Sequence, residues 1–180
     1  MFCESGLETK FARFDETLVV SEGHVIAGYA SRFGASDQGG DVVAPGAYAK
    51  SLAKGAGVKM LWQHDPARPI GVWDAVREDD TGLWVEGRLL VEVAQAREAA
   101  ALIAAGAIDG LSIGYRTRQA EKTKSGGRLL TEVELWEVSL VTFPMLPTAR
   151  VAAKAQDEPD HGWRDVTNAL EQARRVLAPR

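Results

Sequence analysis

The sequence predicts an α+β domain, rich in β-structure, in which about seven strands form a barrel or curled sheet with helices at its periphery. Three observations lead there. Short segments rich in β-branched and aromatic residues recur along the chain, divided by glycine- and proline-bearing turns. Alanine-rich helical stretches are few and fall between or after those segments. With 180 residues, 46% hydrophobic and 26% charged, the chain has the balance of one globular domain large enough to bury a core.

Taken in order, residues 11–20 and 24–31 read as strands separated by the turn Ser21-Glu22-Gly23, and residues 34–40 as a polar, glycine-bearing loop. Residues 45–53 read as a short helix, with Pro45 in its first turn and Gly55 beyond its end. The next strand covers 58–64 and is stopped by the breaker cluster Asp65-Pro66-Ala67-Arg68-Pro69. Two more strands follow over 70–77 and 82–90. In the second, Leu83, Val85, Gly87 and Leu89 alternate with Trp84, Glu86, Arg88 and Leu90. The clearest helix covers 93–105, with Ala96, Ala100, Ile103 and Ala104 on its apolar side and Gly106 as terminator. The turn Asp109-Gly110 opens a strand over 111–118, and a charged loop over 122–128 leads to a long strand over 129–143, ended by Pro144 and Pro147. Past Arg150 the composition turns polar, and residues 165–177 read as a helix with Val166, Leu170, Ala173 and Leu177 on one side. The expected division is therefore a folded unit over 1–151 and a linker with C-terminal helix over 152–180.

Composition excludes several classes of function. A net charge of −4 offers no basic face for nucleic acid. No run approaches the roughly 18 apolar residues of a membrane span, and residues 1–10, with Glu4 and Glu8, do not read as a secretory signal. Cys3 is the only cysteine, so neither an intramolecular disulfide nor a thiolate metal cluster is expected. The compartment reads as reducing and cytoplasmic. Cys3 stands in a terminus, where a nucleophile would be poorly held. No motif implies a cofactor or a resident metal.

Three polar residues stand out. His64 ends the segment Val58-Lys59-Met60-Leu61-Trp62-Gln63-His64; strand alternation would place it on the face of Val58, Met60 and Trp62. Imidazole is the side chain best suited to move protons near neutral pH; the structural alternative is a hydrogen-bonded histidine at a strand end. Ser112, in Gly110-Leu111-Ser112-Ile113-Gly114, has glycine two residues to either side, which leaves room for a reacting group. Those letters match the G-x-S-x-G elbow, but Tyr115-Arg116-Thr117-Arg118 continues as strand where that elbow requires a helix. The alternative is an ordinary core serine. Glu137 interrupts the apolar run Leu135-Trp136-Glu137-Val138-Ser139-Leu140-Val141, its face expected to hold Val133, Leu135 and Val141. A carboxylate buried there needs a donor. That donor is either a histidine N–H, as in a triad, or an arginine, Arg116 or Arg118. A metal-dependent hydrolase using His24, His64 and Asp65 is a poor third reading, because no paired ligand spacing is present.

Five blocks together resemble the prohead maturation proteases of tailed phages and of bacterial gene transfer agents. They are Gly28-Tyr29-Ala30-Ser31-Arg32-Phe33, Gly40-Asp41-Val42-Val43-Ala44-Pro45-Gly46-Ala47-Tyr48, Leu61-Trp62-Gln63-His64-Asp65, Gly110-Leu111-Ser112-Ile113-Gly114-Tyr115 and Leu135-Trp136-Glu137-Val138-Ser139-Leu140-Val141. That family is distantly similar to the herpesvirus assembly proteases, with their seven-stranded barrel, surrounding helices and Ser-His-His triad. The resemblance implies a serine endopeptidase that cleaves scaffold or capsid-protein segments inside the immature capsid, with His64 as base, Ser112 as nucleophile and Glu137 in the place of the second herpesvirus histidine. It also implies a homodimer and an oxyanion hole at Pro147-Thr148-Ala149-Arg150. The small-residue segment Ala152-Ala153-Lys154-Ala155-Gln156 reads as open to self-cleavage, and the helix beyond it either docks on scaffold or capsid protein or simply caps the domain. The competing expectation is a catalytically silent capsid-assembly module of the same fold.

Overall fold

The structure is a computed structural model describing residues 8–12, 18–21, 24–37, 39–55, 57–123, 126–143 and 151–152. Its elements run β1 (Glu8–Ala12), β2 (Leu18–Ser21), β3 (Val25–Arg32), β4 (Val42–Val43), α1 (Ala49–Ala53), β5 (Lys59–Trp62), β6 (Asp65–Glu78), β7 (Gly82–Leu89), α2 (Ala94–Ala104), β8 (Gly110–Lys122), β9 (Arg128–Val141) and β10 (Val151–Ala152). The expected helix over 165–177 and the linker before it lie outside the described residues. The boundary expected after residue 151 falls within β10, whose two residues pair with Leu18 and Val19 of β2.

All ten strands join one sheet in the order β1-β8-β9-β5-β6-β7-β3-β2-β10, with β4 pairing β9 from the side. The expected β-rich, curled architecture with peripheral helices is what forms. The strand number exceeds the expected seven because β4 and β10, at two residues each, are too short to show alternation, and because two strands, β1 and β2, stand where one was expected over 11–20. Curling follows from irregular pairing. Register shifts interrupt β3–β7, β5–β6, β6–β7 and β8–β9, and each local disruption increases twist. As a result β3 packs against β1 and β8, which lie far from it in strand order.

Two boundaries differ from expectation for identifiable reasons. The cluster at 65–69 does not break the chain; it begins β6, and Pro69 opposes Leu61 where the β5–β6 register slips. Prolines are accepted where ladder bonds are already lost. The helix expected from Pro45 starts only at Ala49, after a turn in which Ala47 N–H donates to Ala44 C=O.

The core lies inside the curl. Ile26, Met60, Ile70, Leu83, Val85, Leu111, Ile113, Val138 and Leu140 are buried there, and α2 caps it with Ala96, Ala99 and Ile103. In β7 the predicted alternation holds: Leu83, Val85 and Leu89 are buried while Glu86 and Arg88 are exposed. Asp41, almost buried, chelates the Arg128 guanidinium and ties the loop before β4 to the start of β9. Among the described residues, no helix is long and apolar enough to cross a membrane.

Candidate active site

The adjacency β8-β9-β5 determines which side chains can meet. In the β8–β9 ladder Ser112 faces Ser139 and Gly114 faces Glu137, while Leu111 and Ile113 face Leu140 and Val138. Successive strand residues point to opposite faces. The second set lies in the core, so Ser112, Ser139, Gly114 and Glu137 share the opposite face. In the β5–β9 ladder Leu61 pairs with Ser139, which puts Met60 and Trp62 on the core side.

His64 does not continue that alternation. Strand β5 ends at Trp62, which pairs with Asp65 of β6, so Gln63 and His64 form the two-residue tip of a hairpin. Both are left-handed, with φ of 53° and 60°, as the central residues of a type I′ turn must be. The expected face, shared with Met60 and Trp62, is therefore wrong: the turn swings the ring to the side of Glu137 and Ser112. Left-handed backbone costs roughly 1–2 kcal/mol per non-glycine residue, and local bonds offset it here. Gln63 N–H donates to Leu140 C=O at 2.9 Å, the Gln63 amide donates to Thr142 Oγ1 at 2.7 Å, and His64 N–H donates to Ser139 Oγ at 3.3 Å.

The three singled-out residues meet in one hydrogen-bonded series. His64 Nε2 lies 2.6 Å from Ser112 Oγ, and its Nδ1 lies 2.5 Å from Glu137 Oε1. An ionised carboxylate only accepts, so Nδ1 carries the proton and Nε2 presents a lone pair to the serine hydroxyl. Ser112 is fully buried, Glu137 is 3% exposed, and the His64 side chain is 16% exposed. The arrangement can accept a proton from a hydroxyl and hold the resulting imidazolium against a carboxylate.

Glu137 reaches this position because β9 bulges beside it. Gly114 pairs with Glu137 but Tyr115 pairs with Leu135, leaving Trp136 as an extra residue. The bulge reverses the phase of alternation. Val133 and Leu135 consequently lie in the core rather than on the face of Glu137, contrary to expectation; Val141 stays in phase with Glu137, as expected, together with Ser139. The arginine alternatives are engaged elsewhere: Arg118 pairs with Glu134, and Arg116 stacks 5.1 Å over the Trp136 ring. Hydrogen bonding from Arg118 holds the Glu134 carboxyl below the ordinary carboxylate range, so Glu134 is a charged surface group.

Gly114 leaves the space that the carboxylate fills; a Cβ there would lie 2.1 Å from Glu137 Oε1. Sequence reasoning missed this role, and it missed Ser139, whose Oγ–H donates to Glu137 Oε2 at 2.5 Å. The signal was available, since Ser139 is the other polar residue in the apolar run that drew attention to Glu137. The elbow-like letters around Ser112 stand within β8, which continues as strand to Lys122 where that elbow requires a helix. His24 sits exposed in the turn before β3, and among the described residues no three His, Cys, Asp or Glu side chains are grouped to hold a metal ion. Cys3, His161 and the loop expected to carry an oxyanion hole, Pro147-Thr148-Ala149-Arg150, lie outside the described residues.

Comparison with known proteins gives concordant matches. The family model for caudovirus prohead serine proteases matches residues 12–161. The prohead protease of Enterobacteria phage HK97 is 33% identical over 169 residues, spanning 89% of this chain and 75% of that one. Among solved structures, the capsid assembly protease of bacteriophage T4, gp21, superposes with a TM-score of 0.58 at 18% identity, covering 77% of this chain and 98% of that one. The varicella-zoster virus protease matches with a TM-score of 0.41 at 16% identity, over 68% of this chain and 59% of that one.

Proposed function

Since the chain belongs to the caudovirus prohead serine protease family, and is thus a serine peptidase of capsid maturation, we propose that it is an endopeptidase that cuts scaffold or capsid-protein segments inside the immature capsid through an acyl-enzyme. Ser112 is the nucleophile, His64 the general base and Glu137 the residue that orients the imidazole.

The observation that carries this reading is the unbroken series from Ser112 Oγ through both ring nitrogens of His64 to Glu137 Oε1. A serine hydroxyl is a weak nucleophile until a base within hydrogen-bond reach removes its proton. As Ser112 Oγ attacks the scissile carbonyl, its proton passes to His64 Nε2, and the imidazolium so formed is held by the buried Glu137 carboxylate. The same proton then moves to the leaving amine, the peptide bond breaks, and the acyl group remains on Ser112. Water, deprotonated by His64, attacks the ester; the imidazolium returns that proton to Ser112 Oγ as the acyl–oxygen bond breaks, and the second product leaves as a carboxylic acid. The carboxylate at position 137 does what a second histidine does in the herpesvirus pattern, with a stronger field on the ring. Homodimerisation, and removal of the tail beyond residue 151, complete the proposal.

The experiment uses the full chain and its Ser112→Ala variant, each treated with a fluorophosphonate probe and each co-expressed with the capsid protein of its own phage or transfer agent. The wild type should label at one site and shorten the capsid protein. Removing the nucleophile should abolish both the labelling and the shortened band. Equal labelling, or identical fragments, from the two proteins would remove Ser112 from its role.

A further inference from the structure

Beyond the three residues of the proposed series, we infer that Ser139 is a positioning residue, whose single hydroxyl fastens the Glu137 carboxylate to the hairpin tip that bears His64. The inference rests on the proposed roles of His64, Ser112 and Glu137.

Ser139 is fully buried in β9, directly across from Ser112 in β8 and directly beside Leu61 in β5. A hydroxyl has one proton to give and two lone pairs. The proton goes to Glu137 Oε2 at 2.5 Å, and a lone pair accepts His64 N–H at 3.3 Å. The two carboxylate oxygens are thereby divided, Oε1 facing His64 Nδ1 and Oε2 facing Ser139. With both oxygens assigned, the carboxylate plane cannot turn about its last bond without losing a charge-assisted hydrogen bond. Gly114 bounds the other side of the group by leaving room for nothing but that carboxylate.

The second bond acts on the base. The Gln63–His64 tip is left-handed at both residues, without glycine, and so needs fixed partners to persist. One of them is Ser139, through the backbone N–H of the same histidine whose ring meets Glu137. A change in β9 that moves the acid therefore moves the base with it. A buried serine in a β-strand can satisfy itself on neighbouring backbone carbonyls; this one places both its bonds on the acid and the base.

The test compares full-length wild type with Ser139→Ala, Ser139→Thr, Ser139→Val and Ser112→Ala. It follows 4-nitrophenyl acetate hydrolysis, the low-field proton resonance of His64 Nδ1–H, and hydrogen exchange at the His64 backbone amide. Misplacement of reacting groups by about 1 Å can cost 10²-fold. Ser139→Ala should accordingly lose about tenfold to a hundredfold in kcat with KM little changed, and its Nδ1–H resonance should shift or broaden. Thr and Val have the same shape and differ in the hydroxyl, so Ser139→Thr should recover most of kcat and Ser139→Val should not. Equal kcat for Ser139→Thr and Ser139→Val, or a wild-type kcat and resonance in Ser139→Ala, would overturn the inference. So would a wild-type His64 amide exchanging as fast as an unbonded one, a measurement that needs no variant to fold. Wild-type turnover by Ser112→Ala strikes instead at the proposed function, while the resonance and the amide exchange still judge Ser139.

Discussion

A histidine in a left-handed hairpin tip is an uncommon way to place the proposed base. Type I′ turns favour Asn-Gly because both central residues need positive φ; here Gln63 and His64 fill those positions. The strain is confined to two residues held by Leu140, Thr142 and Ser139, which suits a group that must not wander. The Glu137 carboxylate depends for its position on a residue that contributes no side chain at all. In Gly114→Ala the new methyl would approach Glu137 Oε1 to 2.1 Å and Cδ to 2.7 Å, so the carboxylate must leave its place against His64. The expected outcome is a fluorophosphonate labelling rate lower by about 10²-fold, with far-ultraviolet circular dichroism unchanged. A variant that labels as fast as wild type would show that the carboxylate does not need its observed position.

Among the elements, β9 has the most to do: it pairs β8 and β5, bulges at Trp136 and carries both Glu137 and Ser139. Helix α1 steadies it just before the bulge, where Leu135 N–H donates to Ser51 Oγ at 2.9 Å. The β6–β7 hairpin is organised by Asp79, which accepts from Thr81 N–H at 2.8 Å, Gly82 N–H at 3.1 Å and the Tyr29 hydroxyl at 2.8 Å. Burial pushes its carboxyl up, but the Tyr29 hydroxyl and the two amides outweigh that and hold it below the usual value of 3.8. A carboxyl whose folded-state pKa is depressed adds stability above its unfolded value and loses it as pH falls through the folded one. Asp79→Asn should therefore unfold at lower urea than wild type at pH 7. The gap should close as pH drops below about 4. A gap that stays constant across that range would mean that ionisation of Asp79 does not contribute.

At the level of the whole molecule, the sheet brings together residues 48 and 73 positions apart in the chain, a feat of strand order rather than of any local motif. The curl encloses one core, and α2 closes it from outside with few large side chains, chiefly Ile103 at 1% exposure, one turn beyond the buried Ala99 and two beyond the buried Ala96. Ile103→Ala should cost about 2–5 kcal/mol and lower the thermal midpoint in a single transition. Labelling by fluorophosphonate at temperatures where the variant is still folded should stay near wild type, because the hydrogen bonds that join Ser112, His64 and Glu137 run between β8, β9 and the β5–β6 hairpin tip. Two transitions, or loss of labelling in the folded variant, would show that the helix is coupled to the site in another way.

What the sequence determined by itself was the inventory: a β-rich α+β domain, the clear helix expected over 93–105 and found at Ala94–Ala104, and a histidine, a serine and a glutamate each set in an apolar segment of the chain. Such facts depend on alternation, burial and the expense of isolated polar groups, which are properties of neighbouring residues. Only the tertiary structure decided that these three meet. It also decided that His64 belongs to a turn and not to a strand face, because Gln-His carries no sign of positive φ. The bulge at Trp136, the space at Gly114 and the double bonding of Ser139 were equally out of reach. Each depends on which strand lies alongside which, and in what register, and that is settled by contacts between segments far apart in the chain.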